Sequence, residues 1–378
     1  MPRFKEGDRV RVKGTPHMEG HTVGVVKEVS DETPYAIRFD GTSADHKWYV
    51  DSELEPEGSG ERDSKSKQEK KPMRMERGGQ AVSAIASELW AISSPEHWLS
   101  TMAAIAQRSN LDPGAAEAAR RLRAEEFSIM AGPSARRLEG ARYAMVSQDG
   151  VAILPVFGPI FPRANLMTEV SGATSAGALL NDYRLALSNP DVGAIMLLMD
   201  TPGGAVSGIN AVHDAIAPGR KQKPTKAYVT GTAASAGYWI ASAVGPGNIV
   251  MDRTSIVGSI GVVAAIPKQV EPGADGVMAV EIVSANAPNK RPDPTTEEGA
   301  DTIRATLNAI ETQFIADVAK GRGVSVEKVK SDFGKGGVLV GQDAVSAGMA
   351  DKIMSYDAAF NELAAMVRNK RRADALRK

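Results

Sequence analysis

Ser235 stands in the run Gly231-Thr232-Ala233-Ala234-Ser235-Ala236-Gly237-Tyr238-Trp239, one hydroxyl among small residues. The strand-like Lys226–Thr230 precedes it and an apolar helical stretch, Tyr238 to Val244, follows. Small neighbours let a substrate backbone come close. A helix N-terminus offers unpaired N–H donors to a developing oxyanion. About thirty residues upstream, Asp200-Thr201-Pro202-Gly203-Gly204 ends a second apolar strand and can aim backbone N–H groups at the same place. One nucleophile and two donor turns point to acyl transfer.

A serine nucleophile needs a base. Of the five histidines, His17, His21, His46, His97 and His213, only His213 falls near these motifs. It sits beside the apolar stripe Val206, Ile209, Val212 and Ile216 of an expected helix, and reads as a surface or half-buried residue. Lysine is then the natural base. Free lysine titrates near 10.4, so only roughly one in a few thousand is neutral at pH 7. Burial or a neighbouring cation has to lower that by about three units, at roughly 4 kcal/mol. Lys221, Lys223 and Lys226 lie in a polar turn and read as solvated. Lys268 follows Ile266-Pro267, and Lys290 follows a strand expected over Val277–Ser284. Spacing alone does not choose between Lys268 and Lys290.

Composition narrows the classes. There is no cysteine, which removes thiol catalysis and cysteine metal sites. No His/Asp/Glu cluster has ligand spacing, so neither metal nor cofactor is expected. The net charge of -1 gives no general pull toward nucleic acid or anionic membrane. Met1–Glu6 lacks the apolar core of a signal peptide, and no run approaches the roughly 18 to 20 apolar residues of a membrane span. A soluble, cytoplasmic protein is expected.

The elements that must position these residues lie from about 143 onward, where strand and helix patterns alternate. Strands are expected at Val151–Val156, Ala194–Asp200, Lys226–Thr230, Asn248–Met251 and Val277–Ser284, with helices at Thr174–Ser188, Ser207–Ile216 and Ala233–Val244. Repeated βαβ units imply a mainly parallel sheet flanked by helices, with ligands beyond the strands' carboxyl ends. A long helix, about Thr295 to Lys320, carries Ile303, Leu307, Ile310 and Phe314 on one face. Helix, turn and short strand follow to Met354. Residues 361–378 read as a basic tail and a solvated helix end.

Upstream, residues 1–56 alternate as short strands punctuated by glycine, which reads as a small, strongly bent β-barrel. Phe4–Val12 resembles the opening of KOW- or Tudor-like barrels. Such a module could take nucleic acid or a protein tail; a docking or folding appendage is the plainer reading. Residues 57–80 have the composition of a disordered linker. Residues 81–142 read as a helical arm, with Ser94-Pro95-Glu96 as a helix start and an irregular stretch from 128.

Residues 143 to about 355 resemble the serine peptidases of the signal peptide peptidase A family. The resemblance rests on Asp200–Gly204, Thr232–Trp239 and Val257-Gly258-Ser259-Ile260-Gly261-Val262, in that order and spacing. More narrowly, the chain is similar to phage head-maturation proteases of the lambda protein C type, through Glu88–Ile92 and Arg137–Tyr143. The resemblance implies a ClpP/crotonase-type α/β fold and a Ser/Lys dyad over a peptidase domain at 143–360. Ser235 matches the nucleophile and Lys290 the general base. Gly203 and Ala236 match the oxyanion-hole N–H donors. The family often places glycine and histidine or tyrosine before the lysine and an acid after it; here Pro288-Asn289 precede it and Arg291 follows. Arg291 could help depress the lysine by like-charge repulsion. Ser259 then shapes a turn, and Asp200 braces one. Implied partners are protein substrates (scaffold, portal, capsid or the protease itself), with ring-like homo-oligomers, acting in assembling proheads if phage-encoded.

Rival readings are a cellular signal-peptide or membrane-protein peptidase, a crotonase-like acyl-CoA enzyme, and a non-catalytic assembly protein. Coenzyme A binding would mark the second. Indifference to Ser235→Ala would mark the third.

Overall fold

The computed structural model describes residues 134–163, 172–266 and 282–377, residue 121, and the segments 9–12, 23–29, 35–39, 47–49, 54–56 and 90–92. Two units divide the chain, Met1–Arg74 and Met75–Lys378.

In the first unit, β1 (Arg9–Val12), β2 (Val23–Val29), β3 (Tyr35–Phe39), β4 (Lys47–Tyr49) and β5 (Leu54–Pro56) form an antiparallel sheet in the order β4-β3-β2-β1-β5. Val10, Val26, Ile37 and Leu54 are buried. The alternation expected from sequence falls on these strands. Among the described pairings it is an open five-strand order; closure into a barrel is not one of them. The expected linker at 57–80 lies outside the described residues, as does the helix expected to start at Ser94.

The second unit opens with a difference. Trp90–Ile92, inside the expected helical arm, is a strand, β6, held by pairing with a distant segment. Next come β7 (Arg136–Arg137), β8 (Met145–Val146), β9 (Val151–Phe157), β10 (Ile160–Phe161), β11 (Thr174–Ser175) and helix α1 (Ala176–Ser188). β12 (Ala194–Thr201), β13 (Gly203–Ala205), α2 (Ile209–Gly219), β14 (Thr225–Ala234), α3 (Ala236–Ser242), β15 (Ile249–Met251) and β16 (Ile256–Gly258) follow. The main sheet runs β17-β16-β14-β12-β9-β8-β7, where β17 is Val338–Val340. Its centre, β9-β12-β14, is parallel, as the βαβ pattern requires. β14 forks: its first half pairs with β15, which pairs with β18 (Lys352–Ile353), and its last three residues pair with β16.

The unbroken apolar run of β12 is explained by burial on both faces. Ile195, Leu197 and Met199 point into the core shared with α1, α2 and α3. Ala194, Met196 and Leu198 point the other way, against helix α7 (Tyr356–Leu376). Each large side chain so buried contributes roughly 1.5–3 kcal/mol. α7 meets that face through Ala359, Leu363 and Val367, four residues apart on one stripe. It continues straight through position 360, where the peptidase domain was expected to give way to a tail, and only its residues beyond Val367 are exposed throughout.

The long helix α4 spans Glu297–Arg322. Thr296 caps it by accepting the Gly299 N–H at 3.1 Å, Glu297 and Glu298 suit its positive end, and Gly323 at φ +66° ends it. α5 (Val326–Asp332) and α6 (Gly341–Ala347) complete the unit. The strand expected over Val277–Ser284 is not one at 282–284, where Ile282 is 91% exposed; 277–281 lie outside the described residues. No helix among the described residues is long and apolar enough to cross a membrane.

Candidate active site

β12 and β14 end side by side, with Thr201 opposite Ala233. Each then turns sharply, and the two turns carry the candidate residues. After β12 the chain passes Pro202 into β13. Gly203 adopts φ +105°, open to glycine and strained for other residues. At Gly204 the backbone of Ile160 is so close that a Cβ would overlap its carbonyl oxygen. The Gly-Gly pair is thus one residue for conformation and one for space.

After β14, Ser235 joins strand to helix at φ 55°, ψ -120°, one of three described non-glycine residues with positive φ. Its N–H donates to the Gly258 carbonyl at 2.7 Å. Its carbonyl accepts from Trp239 at 2.9 Å, closing the first turn of α3. A residue held in such a conformation by bonds on both sides is the geometry of a nucleophile placed on a sharp strand-to-helix turn. Ser235 is only 1% exposed, and its Oγ has no hydrogen-bond partner among the described residues. Ala236, first residue of α3, has an N–H that the helix cannot satisfy.

α3 is a rigid platform. All seven residues are buried. Trp239 stacks on Phe314 of α4 at 4.3 Å, and its indole N–H donates to Asp317 at 3.0 Å. The Tyr238 hydroxyl donates to the Met349 carbonyl at 2.9 Å, and burial pushes its phenol well above the usual range. Asp200 accepts the Thr232 N–H at 2.9 Å, bracing the bulge before Ser235.

Thr201, which sequence reasoning passed over, controls Gly203. Its Oγ1 donates to the Gly158 carbonyl at 2.6 Å and accepts the Gly203 N–H at 3.1 Å. The candidate oxyanion donor is therefore engaged inside its own turn. The signal was local: a threonine two residues before a turn glycine is a known side-chain-to-backbone motif.

The lysines divide. Lys290 ends a short 3₁₀ helix, Pro288–Lys290, and is exposed. The single chain does not bring its amine to Ser235, whose hydroxyl is unpartnered. Lys268 lies outside the described residues. Lys226, expected to be solvated, is buried; its Nζ meets Glu362 of α7 at 2.9 Å. It is nine residues from Ser235 along β14, about 30 Å at 3.3 Å per residue, which removes it as the base. Lys223 is half-buried, donating to the Ala186 and Asn189 carbonyls at 2.9 and 2.7 Å; desolvation, then the charge of Lys370, lowers its pKa. The open, polar turn expected at 221–226 is thus partly covered, with Lys223 held by the end of α1 and Lys226 by α7. His213 is buried, with Nε2 unpartnered and Nδ1 3.3 Å from Asp214. His213 Nε2 and Ser235 Oγ are both orphaned, so they do not form a Ser–His pair.

Residues 218–370 match the model of peptidase family S49, and residues 166–262 match that of the Clp protease family. Capsid assembly protease C of Escherichia phage lambda is 32% identical over 232 residues, 57% of this chain and 50% of that protein. Head-tail preconnector protein GP5 of Enterobacteria phage P21 is 27% identical over 219 residues, 57% of this chain and 43% of that protein. Protease 4 of Haemophilus influenzae is 28% identical over 224 residues, 57% of this chain and 35% of that protein. The chain thus matches half or less of the length of these relatives. The region holding Ser235 is similar to serine peptidases of the signal peptide peptidase A type and to phage capsid proteases.

Proposed function

We propose that this chain is a serine endopeptidase with a Ser235/Lys290 dyad that processes phage scaffold, portal or capsid proteins during head maturation. The observation that carries the reading is Ser235 itself: a strained, buried, unpartnered hydroxyl between a strand end and a helix N-terminus. In the proposed reaction Oγ attacks a peptide carbonyl while neutral Lys290 takes its proton. The new C–O bond leaves a tetrahedral oxyanion, held by the N–H of Ala236 and, once freed from Thr201, of Gly203. One such donor is typically worth about 3–4 kcal/mol in the transition state. Collapse breaks the C–N bond as the lysine returns its proton to the leaving amine, and water then releases the acyl group by the same route.

Exposed Lys290 and buried Ser235 make sense in a homo-oligomer, where a neighbouring copy completes the site. The face Ile303, Leu307 and Ile310 supports this: all three are only half-buried in the single chain, whereas Phe314 on the same stripe is fully buried. The proposed setting is the host cytoplasm, inside assembling proheads.

The test is co-expression with phage portal, scaffold and capsid proteins, as wild type, Ser235→Ala and Lys290→Ala, with new termini mapped by mass spectrometry. Processing abolished in both variants is the expected result. Loss only in Ser235→Ala moves the base to Lys268, and processing unchanged in all three overturns the site.

A further inference from the structure

β13 is three residues long and both its edges are taken. β10 occupies one, with Ile160 opposite Gly204. β6 occupies the other in antiparallel register: Gly203 opposite Ile92, Gly204 opposite Ala91, Ala205 opposite Trp90. β13 starts at the candidate oxyanion donor. Extended peptides dock on sheet edges as an added strand, main chain to main chain, and the edge that starts at the candidate oxyanion donor is the one such a peptide would use to reach Ser235. The chain's own residues 90–92 already lie there.

Two further observations fit a site that is not yet open to substrate. The Gly203 N–H is spent on Thr201. Ser235 is covered, although attack needs a carbonyl carbon at about 3–3.5 Å from its oxygen. The pairing is also short, three residues against the usual five or six or so, which suits exchange. Its tether keeps the segment at high effective concentration, so it refills the edge whenever substrate is absent.

We propose that Trp90–Ile92 is a built-in occupant of the substrate edge of β13, standing where an extended protein segment binds, and that it must leave before Ser235 can be acylated. This rests on the endopeptidase reading above and adds a gate to it.

The chain contains no cysteine, so one engineered disulfide can lock the gate. Trp90→Cys with Ala205→Cys places two thiols at directly opposed positions, where the Cα atoms of an antiparallel pair lie about 4.5–5.5 Å apart, within the roughly 4.4–6.8 Å that a disulfide spans. The same protein is assayed oxidised and after dithiothreitol, so folding effects of the substitutions cancel. Fluorescein-labelled casein is the substrate, and a fluorophosphonate reports modification of Ser235. Expected is cleavage at least about tenfold slower when oxidised, restored on reduction, with fluorophosphonate labelling following it. Trp90→Pro with Ala91→Pro, two neighbours of which one must donate to β13 in an alternating antiparallel ladder, should cleave faster than wild type. Equal cleavage by oxidised and reduced forms overturns the gate and leaves the peptidase reading intact. Failure of the two thiols to pair overturns the register on which the gate is built. Absence of both casein cleavage and Ser235 labelling in every form overturns the peptidase reading, and the gate with it.

Discussion

The two ends of β14 treat a buried polar side chain in opposite ways. At its start, Lys226 is buried but matched by Glu362, which also faces Lys352 at 3.7 Å. Just past its end, Ser235 is buried with nothing to bond, in a backbone conformation that costs energy. The first arrangement fastens α7 to the back of the sheet. The second stores strain and an unmet hydrogen bond where chemistry is proposed. One strand is thus matched at one end and left unsatisfied at the other.

Ser235→Ala probes the unsatisfied end. Activity on casein should fall by at least about a thousandfold. Stability should hold or rise by about 1 kcal/mol, because an unpaired buried hydroxyl disappears; thermal melting reads this. A marked loss of stability would mean that the hydroxyl is bonded in solution.

The anchored side has a stronger relative in Arg322–Asp351, bonded at 2.9 and 2.7 Å, which ties the end of α4 to the segment before β18. Burial pushes the Asp351 carboxyl up, but bonds and charge from Arg322 and the N–H groups of Gly247 and Ile249 outweigh it and hold the group low. Asp351→Asn strands a buried guanidinium and should cost about 3 kcal/mol in denaturant unfolding. Gly204→Ala should cost a similar amount, about 3 kcal/mol, since the Ile160 backbone must move, and should lose activity as well.

Glu362→Gln should cost less, about 1–2 kcal/mol, because the carboxylate is 35% exposed and solvent shares the load. Lys226→Met, which removes the buried charge itself, should be near neutral. The Glu362 carboxyl is held low by its bond to Lys226 and by the charges of Lys226 and Lys352, despite some desolvation. A depressed carboxyl contributes stability above its unfolded pKa and loses it as pH falls through the folded value. The wild type should therefore lose more stability than Lys226→Met as pH falls below the ordinary glutamate pKa of about 4.3 in acid titrations of unfolding.

Much of the frame was legible in the chain. β9, β12 and β14 lie within a few residues of their expected places, because long apolar runs bounded by turn residues leave few alternatives. The candidate nucleophile was legible for the same reason: serine among alanines and glycines, between a strand and an apolar helix. Less legible were the lysines of 221–226, where Lys223 meets the end of α1 and Lys226 a glutamate 136 residues later, and the arm, where Trp90–Ile92 is a strand paired with β13. Strand pairing between distant segments outweighs local helical preference.

The sequence by itself therefore determined the parallel α/β frame, the two turns that face each other at its strand ends, and the residue type that stands between them. Periodicity and turn chemistry are local properties, and they suffice for that. Tertiary structure decided which polar groups are satisfied. Lys226 found Glu362, residues 90–92 found the edge of β13, and Ser235 found no partner among the described residues. Hydrogen bonding and desolvation depend on what distant chain segments bring within about 3 Å, and no spacing along the chain encodes that distance.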